Sequence, residues 1–158
     1  MSGIGKVIWG LHWAALIATP IWWTAGSSIT GGGWGTLALM LLAVPAFLLM
    51  LIGPIVGVAN RRLRAARAVP KPYAIVTIIA WVFGAILPLT IASQGDTTSG
   101  PSWLETLGVP ARAVQAVSGL SAPAFFVFLI AGIIALFATL SSIPTTTAPL
   151  AATTTEAS

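Results

Sequence analysis

Residues 36–59, with the sequence TLALMLLAVPAFLLMLIGPIVGVA, contain no charged side chain. A helix of about 20 residues crosses a hydrocarbon core of about 30 Å, so this stretch is long enough to span a bilayer. Three similar stretches, at residues 7–29, 73–94 and 122–143, also lack Asp, Glu, Lys and Arg. One charge at a helix centre costs about 2.5–3.5 kcal/mol on insertion scales. We therefore predict that residues 1–143 form an all-α, polytopic integral membrane protein, a bundle of four transmembrane helices.

The composition of the whole chain excludes an ordinary soluble domain. Hydrophobic residues make up 57% of the 158 residues and charged residues only 6%, whereas soluble domains carry roughly a quarter charged residues. The chain has no cysteine, which excludes disulfides and thiolate metal sites. Its net charge of +4 would favour nucleic acid as the partner of a soluble protein. Here the basic residues lie between apolar stretches, so we expect anionic membrane lipid, and no nucleic acid, as their partner.

The distribution of basic residues predicts the topology. Five of the seven lie in the connection between the second and third stretches, and these are Arg61, Arg62, Arg64, Arg67 and Lys71. The positive-inside rule assigns this connection, Lys6 and both termini to the cytoplasm, and the five residues are expected to contact anionic lipid headgroups. Alanine richness and the excess of Arg over Lys favour a bacterial cytoplasmic membrane.

The first stretch also has features of a signal peptide, because Lys6 precedes an apolar run and the small residues Thr24 and Gly26 follow it. Trp22 and Trp23 crowd that cleavage position, and the run is longer than a typical signal sequence. We expect an uncleaved span.

The second outer connection, residues 95–121, contains a helix start. Ser102 can cap a helix and Glu105 follows three residues later, as a capping box requires. Gly108 and Pro110 then interrupt and restart the chain. We predict one or two short helices on the outer membrane surface, which could also cap the bundle or contact a partner. The tail, residues 144–158, is rich in Thr, Ala and Pro and is predicted to be disordered.

Few side chains could support chemistry. His12 is the only histidine, and its position between two tryptophans near the start of the first span is typical of an interfacial residue. A bis-histidine haem site would need a second chain, so His12 is a weak candidate haem ligand. The acids Asp96, Glu105 and Glu156 lie on predicted loops or the tail, away from His12, which leaves no catalytic triad or carboxylate metal site. We predict no enzyme activity and no resident cofactor, although a lipid or quinone could fill grooves between the helices.

Small residues at helical spacing predict close helix packing. The candidates are Gly53 and Gly57 in the second span, Ala80 and Gly84 in the third, and Ala131, Ala135 and Ala138 in the fourth. The opposite sides are rich in Leu and Phe and are expected to face lipid or a larger partner, and they carry Leu48, Leu49, Phe125, Phe126 and Phe128.

These observations favour a non-catalytic accessory or scaffold subunit of a larger membrane protein complex, with other integral membrane subunits as partners. Respiratory and other energy-transducing assemblies are one setting for such a subunit. A small transporter, channel or lipid-handling protein is the second hypothesis, because Pro20, Pro45, Pro54 and Pro88 interrupt the spans. A haem- or quinone-binding helper built around His12 is the third.

Overall fold

The computed structural model describes residues 3–29, 33–91 and 100–142. Every regular element in these residues is a helix, in the order α1 (Gly3–Ile29), α2 (Trp34–Ala59), α3 (Arg61–Ala66), α4 (Lys71–Thr90), α5 (Trp103–Thr106) and α6 (Ala111–Ser141). The helices α1, α2, α4 and α6 are each long and apolar enough to cross a membrane. The prediction of an all-α chain with four such helices is confirmed. Asp96 and the predicted disordered tail lie outside the described residues.

The four long helices form a bundle in which neighbours along the chain run in opposite directions. α1 packs between α2 and α4, and α6 packs on α4 and more lightly on α2. The start of α1 lies beside the end of α2, where Gly57 faces Trp9. The end of α1 lies beside the end of α4, where Gly26 faces Pro88, and the last turns of α6 cluster with the start of α4. α1 and α4 therefore point one way, and α2 and α6 the other.

The basic connection between α2 and α4 packs against the start of α1. Asn60 caps α3, because its side-chain oxygen accepts two backbone N–H groups from the first turn at 3.0 and 3.2 Å. Arg67 ends α3 in the left-handed conformation, with φ 46°. The backbone N–H of Val69 then donates to the carbonyl of Gly5 at 3.1 Å. A Cβ atom at Gly5 would overlap the carbonyl oxygen of Val69, so this close approach requires glycine.

At the opposite end, the predicted capping box is present. The hydroxyl of Ser102 accepts the backbone N–H of Glu105 at 3.3 Å, and a carboxylate oxygen of Glu105 accepts the backbone N–H of Ser102 at 2.6 Å. Gly108 follows α5 with φ 88°, a conformation that L side chains rarely adopt. The break predicted at this glycine is confirmed.

The helix α6 differs from the prediction in its extent. It begins at Ala111 and continues through Pro123 without interruption, whereas the fourth span was predicted to begin at Ala122, after a separate surface helix. Pro123 removes only the backbone donor for the carbonyl one turn earlier, and a long helix tolerates the loss of one bond. The 31 residues of α6 extend about 46 Å at 1.5 Å per residue, which exceeds a hydrocarbon core of about 30 Å.

The half of the core nearer to α5 is built on aromatic side chains. Trp23 and Phe125 are both fully buried, with their ring centroids 5.2 Å apart in an edge-to-face arrangement. Phe125 lies against Gly84, where an added Cβ would come within 2.9 Å of its ring. The expectation that Phe125 faces lipid or a partner is therefore wrong. The missing side chain at Gly84 leaves a recess on α4, and the Phe125 ring fills it.

Candidate functional site: a buried histidine–tyrosine pair

The only histidine and the only tyrosine of the chain meet inside the bundle. Nε2 of His12 and the hydroxyl oxygen of Tyr73 lie 2.7 Å apart and share a hydrogen bond. Both side chains are buried, with 5% and 4% of their surface exposed. The side chain of His12, expected at the membrane interface, points into the bundle and not out from its surface, and the Tyr73 hydroxyl satisfies one of its ring nitrogens.

All four long helices contribute to this site. His12 comes from the third turn of α1 and Tyr73 from the first turn of α4. A Cβ atom at Gly53 of α2 would overlap the hydroxyl of Tyr73 and would lie 3.2 Å from Nε2 of His12. Gly132 of α6 faces the other side of the tyrosine, because a Cβ atom there would lie 3.7 Å from its ring. The pair therefore packs against two glycines, Gly53 of α2 and Gly132 of α6.

Aromatic contacts fix the orientation of the histidine ring. The rings of His12 and Tyr73 stack with their centroids 5.4 Å apart and their planes 18° apart. Trp81 of α4 approaches the imidazole edge-on, with the centroids 5.6 Å apart and the planes at 77°. These contacts hold the imidazole in one position, in which Nε2 meets the phenol.

The geometry around His12 does not fit a haem. Nε2, one of the two ring nitrogens that could bind iron, already bonds to Tyr73. The cavity beside the imidazole has a volume of about 10 Å³, bounded by side chains that include Trp9 and Trp13. That volume accommodates about one water molecule. Within the described ranges, no group of three His, Cys, Asp or Glu residues could hold a metal ion.

The hydrogen bond between His12 and Tyr73 offsets the cost of burying two polar groups in apolar surroundings. A buried polar group without a hydrogen bond costs about 1–3 kcal/mol in proteins. Here the Tyr73 hydroxyl and one imidazole nitrogen of His12 satisfy each other. Because partners in one hydrogen bond must sit at a fixed distance, the pair also sets the relative position of α1 and α4.

The predicted packing residues separate into two groups. Gly53, Gly57, Ala80 and Gly84 are buried between helices of this chain. Gly57 lies against Trp9 of α1, where a Cβ atom would come within 3.1 Å of the indole Cη2. On α6 the inward positions are occupied by larger residues and by Gly132. The predicted packing residues Ala131, Ala135 and Ala138 therefore do not face the other helices of this chain. Ala131 and Ala138 are exposed, and Ala135 is half-buried.

The predicted headgroup contacts lie together on the surface at the end opposite α5. All five side chains are exposed, and these are Arg61, Arg62, Arg64, Arg67 and Lys71. Leu63, between them in sequence, is 3% exposed and anchors α3 to the bundle. The one carboxylate in the described part of the chain, Glu105, is at the other end, so this surface carries positive charge alone.

Sequence reasoning missed Tyr73 and Trp81 as site residues. Tyr73 entered the prediction only as the first residue of a span, and Trp81 not at all. A signal was available, because a buried tyrosine hydroxyl usually finds a partner, and His12 is the one titratable side chain within the other spans. The separation of 61 residues between the two gave no indication that they meet.

The fold and the site define a helical bundle whose four long helices could each cross a membrane, with a hydrogen-bonded histidine–tyrosine pair inside it. No family model, no curated protein and no solved structure matches the chain.

Proposed function

We propose that this protein is a non-catalytic accessory or scaffold subunit of a larger membrane protein complex. The cell membrane is its proposed location, with both termini in the cytoplasm, and the one-sided basic surface supports that orientation. His12, the only histidine of the chain, is engaged in a hydrogen bond with Tyr73 that holds α1 and α4 together. Such a use of the histidine is expected of a protein that supplies shape and contacts rather than chemistry.

The observation that carries the proposal is the outward face of α6. Val127, Ile134 and Phe137 are each at least half exposed there. Ala131 and Ala138, two turns apart, are also exposed and form recesses between these bulky side chains. In a bilayer, helices associate by close van der Waals packing, and small residues let a second backbone approach. We name Ala131, Ala135 and Ala138 the alanine stripe and propose it as the contact with another integral membrane subunit.

A pair of matched variants tests this contact. Ala131→Leu combined with Ala138→Leu would fill both recesses, so the proposed complex should release the chain, while the fold stays intact. The control is Ala14→Leu, which adds the same side chain to an exposed alanine on α1. After extraction of native membranes in a mild detergent, we expect the double variant to shift to a smaller species on a native gel and the control to migrate with the wild type. Equal migration of all three in one large species would show that the alanine stripe is not the contact.

A further inference from the structure

A cavity of about 640 Å³ opens at the end of the bundle that carries α5. Its walls come from the first turns of α2, the end of α4, Glu105 of α5 and the first three turns of α6. Small residues keep it open, since Gly35 and Ala38 line it from α2 and Gly119 from α6. A Cβ atom at Gly119 would meet no atom within 4 Å. The volume lies within the range of about 300–1,000 Å³ that is usual for small-molecule sites.

The polar side of the cavity is centred on a carboxylate that is held in place. One oxygen of Glu105 accepts the backbone N–H of Ser102 at 2.6 Å, which fixes the side chain against the cavity. In the described residues, no Lys or Arg forms an ion pair with this carboxylate. Gln115 and Ser118, one turn apart on α6, add an amide and a hydroxyl to the same lining.

Thr90 also lines the cavity, with its hydroxyl donating to the carbonyl of Leu87 at 2.8 Å, and the rest of the lining is apolar or aromatic. Ala38, Ile91 and Val114 line the cavity from three different helices or helix ends. Trp34, the aromatic first residue of α2, also lines it. The cavity therefore offers one negative charge, further polar acceptors, an aromatic ring and an apolar wall.

We propose that this cavity binds an amphiphile with a protonated amine head group. An ammonium group carries three donors and one positive charge, which match the Glu105 carboxylate and the oxygen atoms of Gln115 and Ser118. The indole of Trp34 adds a favourable surface for a cation. The alkyl part lies against Ala38, Ile91 and Val114. An anionic head group would be repelled by the Glu105 carboxylate. A neutral alcohol would leave the negative charge of Glu105 without a partner.

The decisive variant is Glu105→Gln. A capping box accepts Glu or Gln at this position, so the amide keeps the cap of α5 while the charge is removed. In neutral maltoside micelles, n-octylammonium is titrated into the full chain and followed by calorimetry, with n-octanol as the uncharged analogue and empty micelles subtracted. We expect the wild type to prefer octylammonium. Glu105→Gln should weaken octylammonium binding about ten-fold and leave octanol binding unchanged.

A second variant tests the location. Gly119→Leu should fill the cavity and abolish octylammonium binding. Gly10→Leu is the matched control, because a Cβ atom at Gly10 on α1 likewise meets nothing within 4 Å and Gly10 does not line the cavity. This control should bind as the wild type does. Equal binding by the two leucine variants would place the amine elsewhere and overturn the proposal.

The amine head group could belong to an aminophospholipid or to a free alkylamine, and native mass spectrometry separates these sources. The chain is reconstituted in vesicles of phosphatidylglycerol with or without phosphatidylethanolamine. A phosphatidylethanolamine adduct on the wild type that Glu105→Gln loses identifies a lipid as the source. Selective octylammonium binding without that adduct identifies a free amine. Equal wild-type affinity for octylammonium and octanol, or unchanged octylammonium affinity in Glu105→Gln, would contradict the proposal.

Discussion

The indole N–H of Trp23 on α1 donates a hydrogen bond of 2.8 Å to the backbone carbonyl of Gly84 on α4. Within α4 this carbonyl would accept the backbone N–H of residue 88, but residue 88 is proline and has none. The proline therefore frees one backbone acceptor in the middle of an apolar bundle, and a side chain from the neighbouring helix satisfies it. This contact joins α1 and α4 at a second point, far from the His12–Tyr73 pair.

Trp23→Phe should lower the free energy of unfolding by about 1–3 kcal/mol, because it leaves the buried Gly84 carbonyl without a donor. Trp22→Phe is the matched control. Trp22 is partly exposed and donates to the carbonyl of Ala85 at 2.9 Å, but Leu89 keeps its backbone N–H and can still donate to that carbonyl. Denaturant titration in mixed micelles measures both. If both variants lose the same free energy of unfolding, the missing backbone donor at Pro88 does not strengthen the contribution of the Trp23 hydrogen bond.

The same explanation predicts coupling between Trp23 and Pro88. Pro88→Ala restores a backbone N–H to α4, so the carbonyl of Gly84 regains a helical donor. Trp23→Phe should then cost less in the Pro88→Ala background than in the wild type, and a double-mutant cycle measures the difference. Additive losses would rule out this account of the contact.

Gly53→Ala should destabilise the bundle by about 1–3 kcal/mol, as overpacked cores do, because the new methyl group meets the hydroxyl of Tyr73. Tyr73→Phe removes that hydroxyl, so the cost of Gly53→Ala should fall in the Tyr73→Phe background. It should not vanish, since the ring carbon Cζ would still lie 2.9 Å from the added Cβ. Gly10→Ala, with open space around it, serves as the control and should cause no loss. If Gly53→Ala is as mild as the control, the close approach described at this site is incorrect.

His12→Phe should lower the free energy of unfolding by about 1–3 kcal/mol, because it removes the imidazole that bonds to the buried Tyr73 hydroxyl. Tyr73→Phe should lower the free energy of unfolding by a similar amount, because Nε2 of His12 then loses its hydrogen-bond partner. The double variant, with two apolar rings, should be closer to the wild type than the sum of the single losses, since neither polar group is left unsatisfied. Unfolding free energies of the four proteins test this. A double variant whose loss equals the sum would mean that the pair contributes no coupled stability.

The topology can be tested directly, because the chain has no native cysteine. A cysteine at Arg64 on the basic surface should resist an impermeant thiol reagent in intact cells. A cysteine at Leu107, which is 71% exposed beside α5, should react. The reverse pattern would invert the orientation proposed here.

The sequence predicts the helices better than it predicts their faces. Long apolar runs without charge are sufficient to locate four helices that are long and apolar enough to cross a membrane. The face that each span turns inward depends on contacts between distant residues. Phe125 was expected to face outward because it lies in a Phe-rich run, and only the recess at Gly84 explains why it is buried.

The same limit applies to the candidate site. The capping box of Ser102 and Glu105 is local, so a stretch of four residues was enough to predict it. The His12–Tyr73 pair and the cavity beside α5 depend on how the helices pack, and an apolar helix has no polar face that could indicate this in advance. The extension of α6 to Ala111 was missed for a related reason, because Pro123 marks a helix boundary in many contexts but here lies inside a continuous helix.

We propose above all that this protein works as one subunit of a larger assembly. The most direct test is to tag the wild-type chain, extract it from its native membrane within a polymer-bounded lipid disc, and determine the polypeptides in the purified particle and their stoichiometry. The account predicts at least one other integral membrane protein at a fixed ratio to this chain. A particle that contains only this chain and lipid would contradict it.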